Sequence, residues 1–212
     1  MANKILILGD SGTGKSTSIE GLDSKETFII KCVEKDLPFK GSRKKYSKEN
    51  KNIMTCNKPH TIIDSLQKLD AMSHIKNIVI DDSNYIMTYE YHRKRGEKGF
   101  TKFEDIAFDF MDILNEIDSM RKDINVFIFS HTQEDAEGKR AFKTIGKFLD
   151  DKVKVEGLFT ITLLSTGLDN NYQFITNGVV PSKSPKDMFE DQFIENNLQI
   201  VTNKIKEYYE GE

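Results

Sequence analysis

The chain has only two cysteines, Cys32 and Cys56, and neither lies in a metal-ligand spacing. This scarcity predicts reduced, buried thiols of a cytoplasmic protein and no cysteine-built metal site. Its four histidines, His60, His74, His92 and His131, are scattered, so a zinc site is not expected. Glycine (13) and proline (4) are too few for a collagenous or low-complexity chain. No sign of charge dominates: 31 Lys and Arg against 34 Asp and Glu leave a net charge of −3. That excludes a uniformly basic nucleic-acid coat and leaves room for a local basic patch. No apolar run approaches the roughly 18 residues of a membrane span. The segment ahead of Ile5 is too short for a signal peptide and leads directly into a glycine loop. At 212 residues the expectation is one domain, 1–212, with elaborations.

What is present alternates strand and helix patterns. Lys4–Leu8, Thr27–Val33, Asn77–Asp81 and Asn125–Ser130 are short apolar runs that read as buried strands. Ser16–Leu22 reads as a helix, and Thr61–Met72 has apolar residues near helical spacing. Phe103, Ile106, Ala107, Phe110, Leu114 and Ile117 follow i, i+3, i+4, i+7 and predict a long amphipathic helix. Lys35–Lys58 and Tyr89–Lys102 read as polar loops. Leu158–Ser165 and Tyr172–Thr176 bracket a turn-forming Gly167–Asn171 and read as a hairpin. Leu198–Tyr209 reads as a last amphipathic helix. Strands alternating with helices predict an α/β fold of about five mainly parallel strands flanked by helices.

Gly9-Asp10-Ser11-Gly12-Thr13-Gly14-Lys15-Ser16-Thr17 fits G-x-x-x-x-G-K-[ST] between a strand and a helix. Glycines let backbone N–H groups turn toward a polyphosphate without Cβ clashes. The following helix adds its positive end. Lys15 would reach the β- and γ-phosphates, and the Ser16 hydroxyl would ligate Mg²⁺. A second acid must hold the metal's water shell, and Asp81 closes the strand Asn77–Asp81 where α/β ligand crevices open. Its neighbour Asp82 is one candidate to orient the attacking water. Glu34, at the end of the Thr27–Val33 strand, is the other. The run Phe127–His131 is a third strand end, where His131, with Ser130 or Thr132 as substitutes, would sense nucleotide state. The long interval between Lys15 and Asp81 leaves room for an added strand. With five arginines the chain lacks the arginine-rich lid of a nucleotide kinase, and no N-K-x-D motif marks a GTPase.

Two segments are basic and interleaved with aromatics. Lys31–Lys58 carries eight lysines and Arg43 against Glu34, Asp36 and Glu49, with Phe39 and Tyr46 inside it. Tyr89–Lys102 carries Arg93, Lys94, Arg95, Lys98 and Lys102 with Tyr89, Tyr91, His92 and Phe100. Basic side chains track phosphates and aromatic faces stack bases without sequence preference. Arg93, Lys94 and Arg95 are therefore candidate contacts to single-stranded DNA; a solvated charged loop is the alternative. Lys143, Lys147, Lys183 and Lys186 form a further basic set. Lys183, read as lying just after a strand, suits a finger that would reach the γ-phosphate of a neighbouring subunit.

GDSGTGKST, TFIIKCVEKDLPFKG, NIVIDDSNYIM, FTKFEDIAFDFMDIL, FIFSHTQED, KTIGKFLDDKVKVEGLFTITL and SKSPKDMF occur in that order over nearly the whole chain. In this the chain resembles phage-encoded RecA-like P-loop ATPases, including those of single-strand annealing and recombination. The resemblance implies a RecA-like P-loop NTPase core with a C-terminal β-hairpin extension. It implies ATP and Mg²⁺ as cofactors, with Gly12, Gly14, Lys15 and Ser16 on the nucleotide, Asp81 on the metal and His131 as sensor. It further implies an ATPase of phage recombination, annealing or replication in the cytoplasm of an infected bacterium. The partners would be single-stranded DNA, further copies in a ring or filament, and a phage recombination or single-strand-binding protein. Those relatives carry a clear catalytic glutamate, whereas here the choice between Asp82 and Glu34 stays open. A nucleotide-binding switch with negligible hydrolysis, acting through a protein partner, is the competing reading, and a nucleotide kinase is the third.

Overall fold

The computed structural model describes residues 1–135, 137–145, 149, 153–168 and 171–211. Its strands form where β-branched and aromatic residues cluster: β1 (Asn3–Leu8), β2 (Thr27–Lys31), β3 (Ile53–Thr55), β4 (Asn77–Asp81) and β5 (Asn125–Ser130). A small hairpin, β6 (Thr132–Glu134) and β7 (Arg140–Phe142), stands apart as its own two-stranded sheet. Then come β8 (Ile161–Leu168), β9 (Asn171–Ile175) and β10 (Phe193–Glu195). The main sheet has eight strands in the order β10-β9-β8-β1-β5-β4-β2-β3. From β8 to β3 all neighbours are parallel; β9 and β10 are antiparallel at one edge.

Both faces of the sheet are covered, which is why the central strands are apolar on both faces through their middles. On β1, Leu6 and Leu8 face one layer, with Ile78, Ile80, Val126 and Ile128. That layer is built from α2 (Pro59–Asp70), α3 (Asn84–Arg93) and α4 (Thr101–Ser119), which contribute Ile62, Leu66, Ile86, Met87, Phe110 and Leu114. Ile5 and Ile7 face the other layer with Val79, Phe127 and Phe129. Ile19 of a 3₁₀ turn and Leu198, Val201 and Ile205 of α5 (Leu198–Glu210) close it. Each such side chain contributes roughly 1.5–3 kcal/mol when fully buried. Pro59 at the first turn starts α2, and the Asn197 side chain accepts from the Gln199 N–H (2.9 Å) to start α5.

The mainly parallel α/β sheet with a C-terminal hairpin is as expected, but local details differ. Ser16–Gly21 is a 3₁₀ helix rather than an α-helix. Gly21 ends it against the Asn197 side chain, where a Cβ would sit 2.1 Å from Oδ1. The Lys35–Lys58 stretch is not all loop: it holds one turn of helix, α1 (Ser42–Lys45), and the edge strand β3. Three residues pairing with β2 are enough to extend the sheet, and their brevity hid them among lysines. Tyr89–Lys102 is likewise not all loop, since α3 runs through Arg93 and α4 starts at Thr101. Cys56 is only half-buried, unlike Cys32. No helix among the described residues is long and apolar enough to cross a membrane.

Candidate functional site

The site lies at the carboxyl ends of β1, β5 and β4. Gly9 directly follows β1, and its N–H donates to the Ser130 carbonyl of β5 (3.3 Å). Gly12 and Gly14 have φ of +81° and +91°, conformations that glycine adopts without strain. The Thr13 hydroxyl donates to the Asp10 carbonyl (2.9 Å) and closes the loop on itself. Lys15 folds back inside it, donating to the carbonyls of Gly9 (2.6 Å) and Asp10 (2.9 Å). Burial pushes the Lys15 ammonium down to about 8, against the pull of Asp82 and Asp81, so it is still mostly charged at pH 7. Asp10 and Ser11 are exposed at the tip, and Ser16 and Thr17 are half-buried at the start of the 3₁₀ turn.

Ser16 Oγ donates to Asp81 Oδ1 at 2.9 Å, joining the loop to the end of β4. Asp81 is 1 % exposed, and its Oδ2 has no hydrogen-bond partner among the described residues; nor does the buried Ser83 Oγ on the same turn. An unsatisfied buried carboxylate oxygen costs about 1–3 kcal/mol or more. Its survival beside a hydroxyl and a lysine fits a site built for a hydrated divalent cation. Mg²⁺ keeps most of its waters and takes one or two protein ligands plus phosphates, so Ser16 and Asp81 suffice as the protein's share. Among the described residues no group of three His, Cys, Asp or Glu is arranged as a metal cage. Burial, and then the neighbouring Asp82, push the Asp81 carboxyl above its usual range.

Asp82 follows with φ of +61°, an uncommon backbone for a residue with a side chain. That turn aims its carboxylate at Lys35 Nζ (2.5 Å) and His131 Nε2 (3.5 Å). Burial raises its pKa, but the hydrogen bonds from His131 and Lys35 and their charges outweigh it and hold Asp82 below the usual carboxylate range. Burial of Lys35 is likewise outweighed by Asp81 and Asp82, which raise its ammonium. The His131 backbone N–H donates to Asn84 Oδ1 (3.3 Å), and its ring meets Tyr85 edge-on. Thr132 Oγ1 hydrogen-bonds Asp10 of the loop, and Arg140 of β7 approaches the same carboxylate at 4.0 Å. Ser130 is buried beneath, with its hydroxyl on the His131 carbonyl (3.2 Å).

The other expected residues fall elsewhere. Glu34 has a 76 % exposed side chain bound to Lys31 (3.0 Å), with Thr55 as a second partner. It is therefore turned away from the Asp81–Asp82 pair. Arg93 is the last residue of α3, held by Glu90 (2.6 Å) and by Asn57, and Lys94 pairs with Asp109 (3.3 Å). Arg95 is exposed. Lys183 does not follow directly on a strand as expected: β9 ends at Ile175, and Lys183 sits in irregular chain bridged to Thr162 of β8. Lys147 lies outside the described residues. Lys35 and Arg140 at the site were not anticipated. Lys35 sits next to Glu34, and only the tertiary structure decides which of the two points inward.

Two comparisons bear on this geometry. A family model described as an AAA domain matches residues 1–164. The match spans the phosphate loop, Asp81, Asp82 and His131 and ends within β8. No curated protein matches the chain. The AAA description denotes nucleotide-binding ATPases of the P-loop type.

Proposed function

The chain belongs to the AAA domain family, and from that premise we propose that it binds ATP with Mg²⁺ on the phosphate loop, hydrolyses it, and acts on single-stranded DNA. The observation that carries the reading is the 2.9 Å hydrogen bond from Ser16 to Asp81, which leaves one buried carboxylate oxygen over. Ser16 would hold the metal directly and Asp81 through water. Bound there, Mg²⁺ supplies Lewis-acid neutralisation of phosphate charge. Lys15 exchanges the Gly9 and Asp10 carbonyls for phosphate oxygens and neutralises the charge that builds on them. Asp82 orients the attacking water, held by Lys35 and His131, and His131 reports the state of the terminal phosphate. Glu34 is the weaker candidate because it is exposed and tied to Lys31. Phosphoryl transfer passes through a loose transition state, so positioning and electrostatics carry most of the rate.

The DNA contact is proposed at the end of α3 and the loop after it. Arg93, Lys94 and Arg95 lie there, followed by Lys98 and Phe100 (85 % exposed), with Tyr91 (39 % exposed) on α3 and Lys102 in the first turn of α4. Cations and aromatic faces together suit an unpaired strand. The setting we propose is phage recombination, annealing or replication, with a recombination or single-strand-binding protein as partner. Copies would assemble in a ring or filament, with Lys183 as a finger toward the next subunit. Lys15→Ala should abolish detectable phosphate release while circular dichroism stays unchanged; normal turnover would refute the assignment. Neutralising Arg93, Lys94 and Arg95 together should weaken single-strand binding and flatten its salt dependence, by about 0.7 in slope per lost phosphate contact. One observation favours a second reading, a nucleotide-held switch with negligible hydrolysis: both Asp82 oxygens are already engaged. ATP binding without phosphate release, with and without single-stranded DNA, would select it.

A further inference from the structure

Two glycines far apart in sequence face one ring. Tyr172 of β9 pairs across the ladder with Gly167 of β8, and a Cβ on Gly167 would lie 2.5 Å from Tyr172 Cδ1. A Cβ on Gly14, the residue before Lys15, would lie 2.5 Å from Tyr172 Cγ. The tyrosine, beyond the stretch matched by the AAA domain, therefore leans directly on the phosphate loop. The contact is anchored. Ser165 Oγ, on buried β8, donates to the Thr13 carbonyl (2.6 Å), and Asn196 Nδ2 donates to Ser165 Oγ (3.3 Å). Gly9 approaches so closely that a Cβ there would lie 2.7 Å from the Ser165 carbonyl oxygen. Gly14 packs on Cβ, Cγ and Cδ1 of the tyrosine and Gly167 on its Cδ1, so both lie at the Cδ1 edge of the ring, and the residue is half-buried.

Strand order gives the contact a direction. Asp81 ends β4, which lies beyond β5 on one side of β1, whereas β8 and β9 lie on the other. A triphosphate with its terminal phosphate toward Asp81 leads its nucleoside toward β8 and β9. We propose that Tyr172 forms the wall of the nucleoside subsite and takes the base against its aromatic face. The inference rests on the phosphate-loop reading above. A face contact is indifferent to base edges, so adenine and guanine nucleotides use it equally.

The test compares a whole nucleotide with its phosphates alone on the full chain. Binding of a non-hydrolysable ATP analogue, a GTP analogue and inorganic tripolyphosphate, each with Mg²⁺, is measured by calorimetry. Tyr172→Ala and Tyr172→Leu should weaken both analogues by about 5- to 150-fold and leave tripolyphosphate unchanged, while Tyr172→Phe binds all three as before. The leucine variant keeps an apolar side chain against Gly14, so it separates stacking from support of the loop. Equal losses for tripolyphosphate and the analogues would overturn the proposal in favour of a prop. Unchanged analogue binding in both variants would also overturn it. If the unsubstituted chain bound neither analogue nor tripolyphosphate, the phosphate-site reading would fail and the base subsite with it.

Discussion

The two ends of the same three strands are built on opposite principles. At the amino ends of β1, β5 and β4, three asparagines stand in register. Asn3 donates to Asn125 (3.0 Å), Asn125 donates to Asn77 (3.2 Å), and Thr202 of α5 adds a donor to Asn77 (3.3 Å). The groups are neutral, and each amide's hydrogen bonds go to its neighbour. At the carboxyl ends stand Gly9, Ser130 and Asp81, with Lys15, Asp82 and Lys35 close by. There, charges are buried in unequal surroundings, Asp82 has positive φ, and an oxygen of Asp81 has no partner among the described residues. A closed neutral network stabilises, whereas a partly satisfied charged one costs stability and is kept for what it binds. The amino end is built to hold the sheet, and the carboxyl end is built like a binding site.

The largest effect that would break this contrast is in activity. Asp81→Asn keeps an acceptor for Ser16 but loses the carboxylate, and Mg²⁺-dependent ATP turnover should fall by about 10- to 100-fold or more. Thermal stability should hold or rise, because an ionised carboxylate with an unpaired oxygen beside Asp82 is replaced by a neutral amide. Calorimetric melting and phosphate release on one preparation check both halves; a Tm drop would make the carboxyl end as structural as the amino end. The reverse is expected at the other end. Asn125→Ala strands the Asn3 donor and one Asn77 acceptor contact, and should cost about 1–3 kcal/mol in denaturant unfolding. Turnover per folded molecule should be unchanged, and a matching loss of rate would show that the ladder shapes the site.

The carboxyl end was the more legible of the two. Spacing alone picks out Gly9 to Thr17 as a loop between a strand and a helical turn, because glycine, lysine and hydroxyl residues at fixed offsets have a local mechanical reason. Asp81 was legible because an apolar run ended in acid. The acid that follows was legible only in part. Choosing between Asp82 and Glu34 needs to know that Lys31 and Thr55 hold Glu34 outward while Lys35 turns in, and those contacts join β2 to β3 and β4. Strand β3 was missed because three residues carry no period. Helix α3 was missed because Tyr85, Tyr89 and Tyr91 blur its apolar face. Tyr172 on Gly14 was not legible, since the two meet only once β8 lies beside β1. The asparagine ladder is of the same kind: its members are single polar residues at strand starts, aligned only by register.

A weaker effect is expected where the ladder meets α5. Asn77 Oδ1 accepts from both Asn125 and Thr202, so removing the Thr202 hydroxyl leaves it one donor. Thr202 is half-buried, and its contact is long at 3.3 Å. Thr202→Val, nearly isosteric, should therefore cost only about 0.5 kcal/mol, well below Asn125→Ala, with turnover untouched. Asn125 is the hub, bonded on both sides and 8 % exposed. If Thr202→Val cost as much as Asn125→Ala, the stabilising link would run from the sheet to α5. The amino end would then be a helix anchor rather than a ladder across strands.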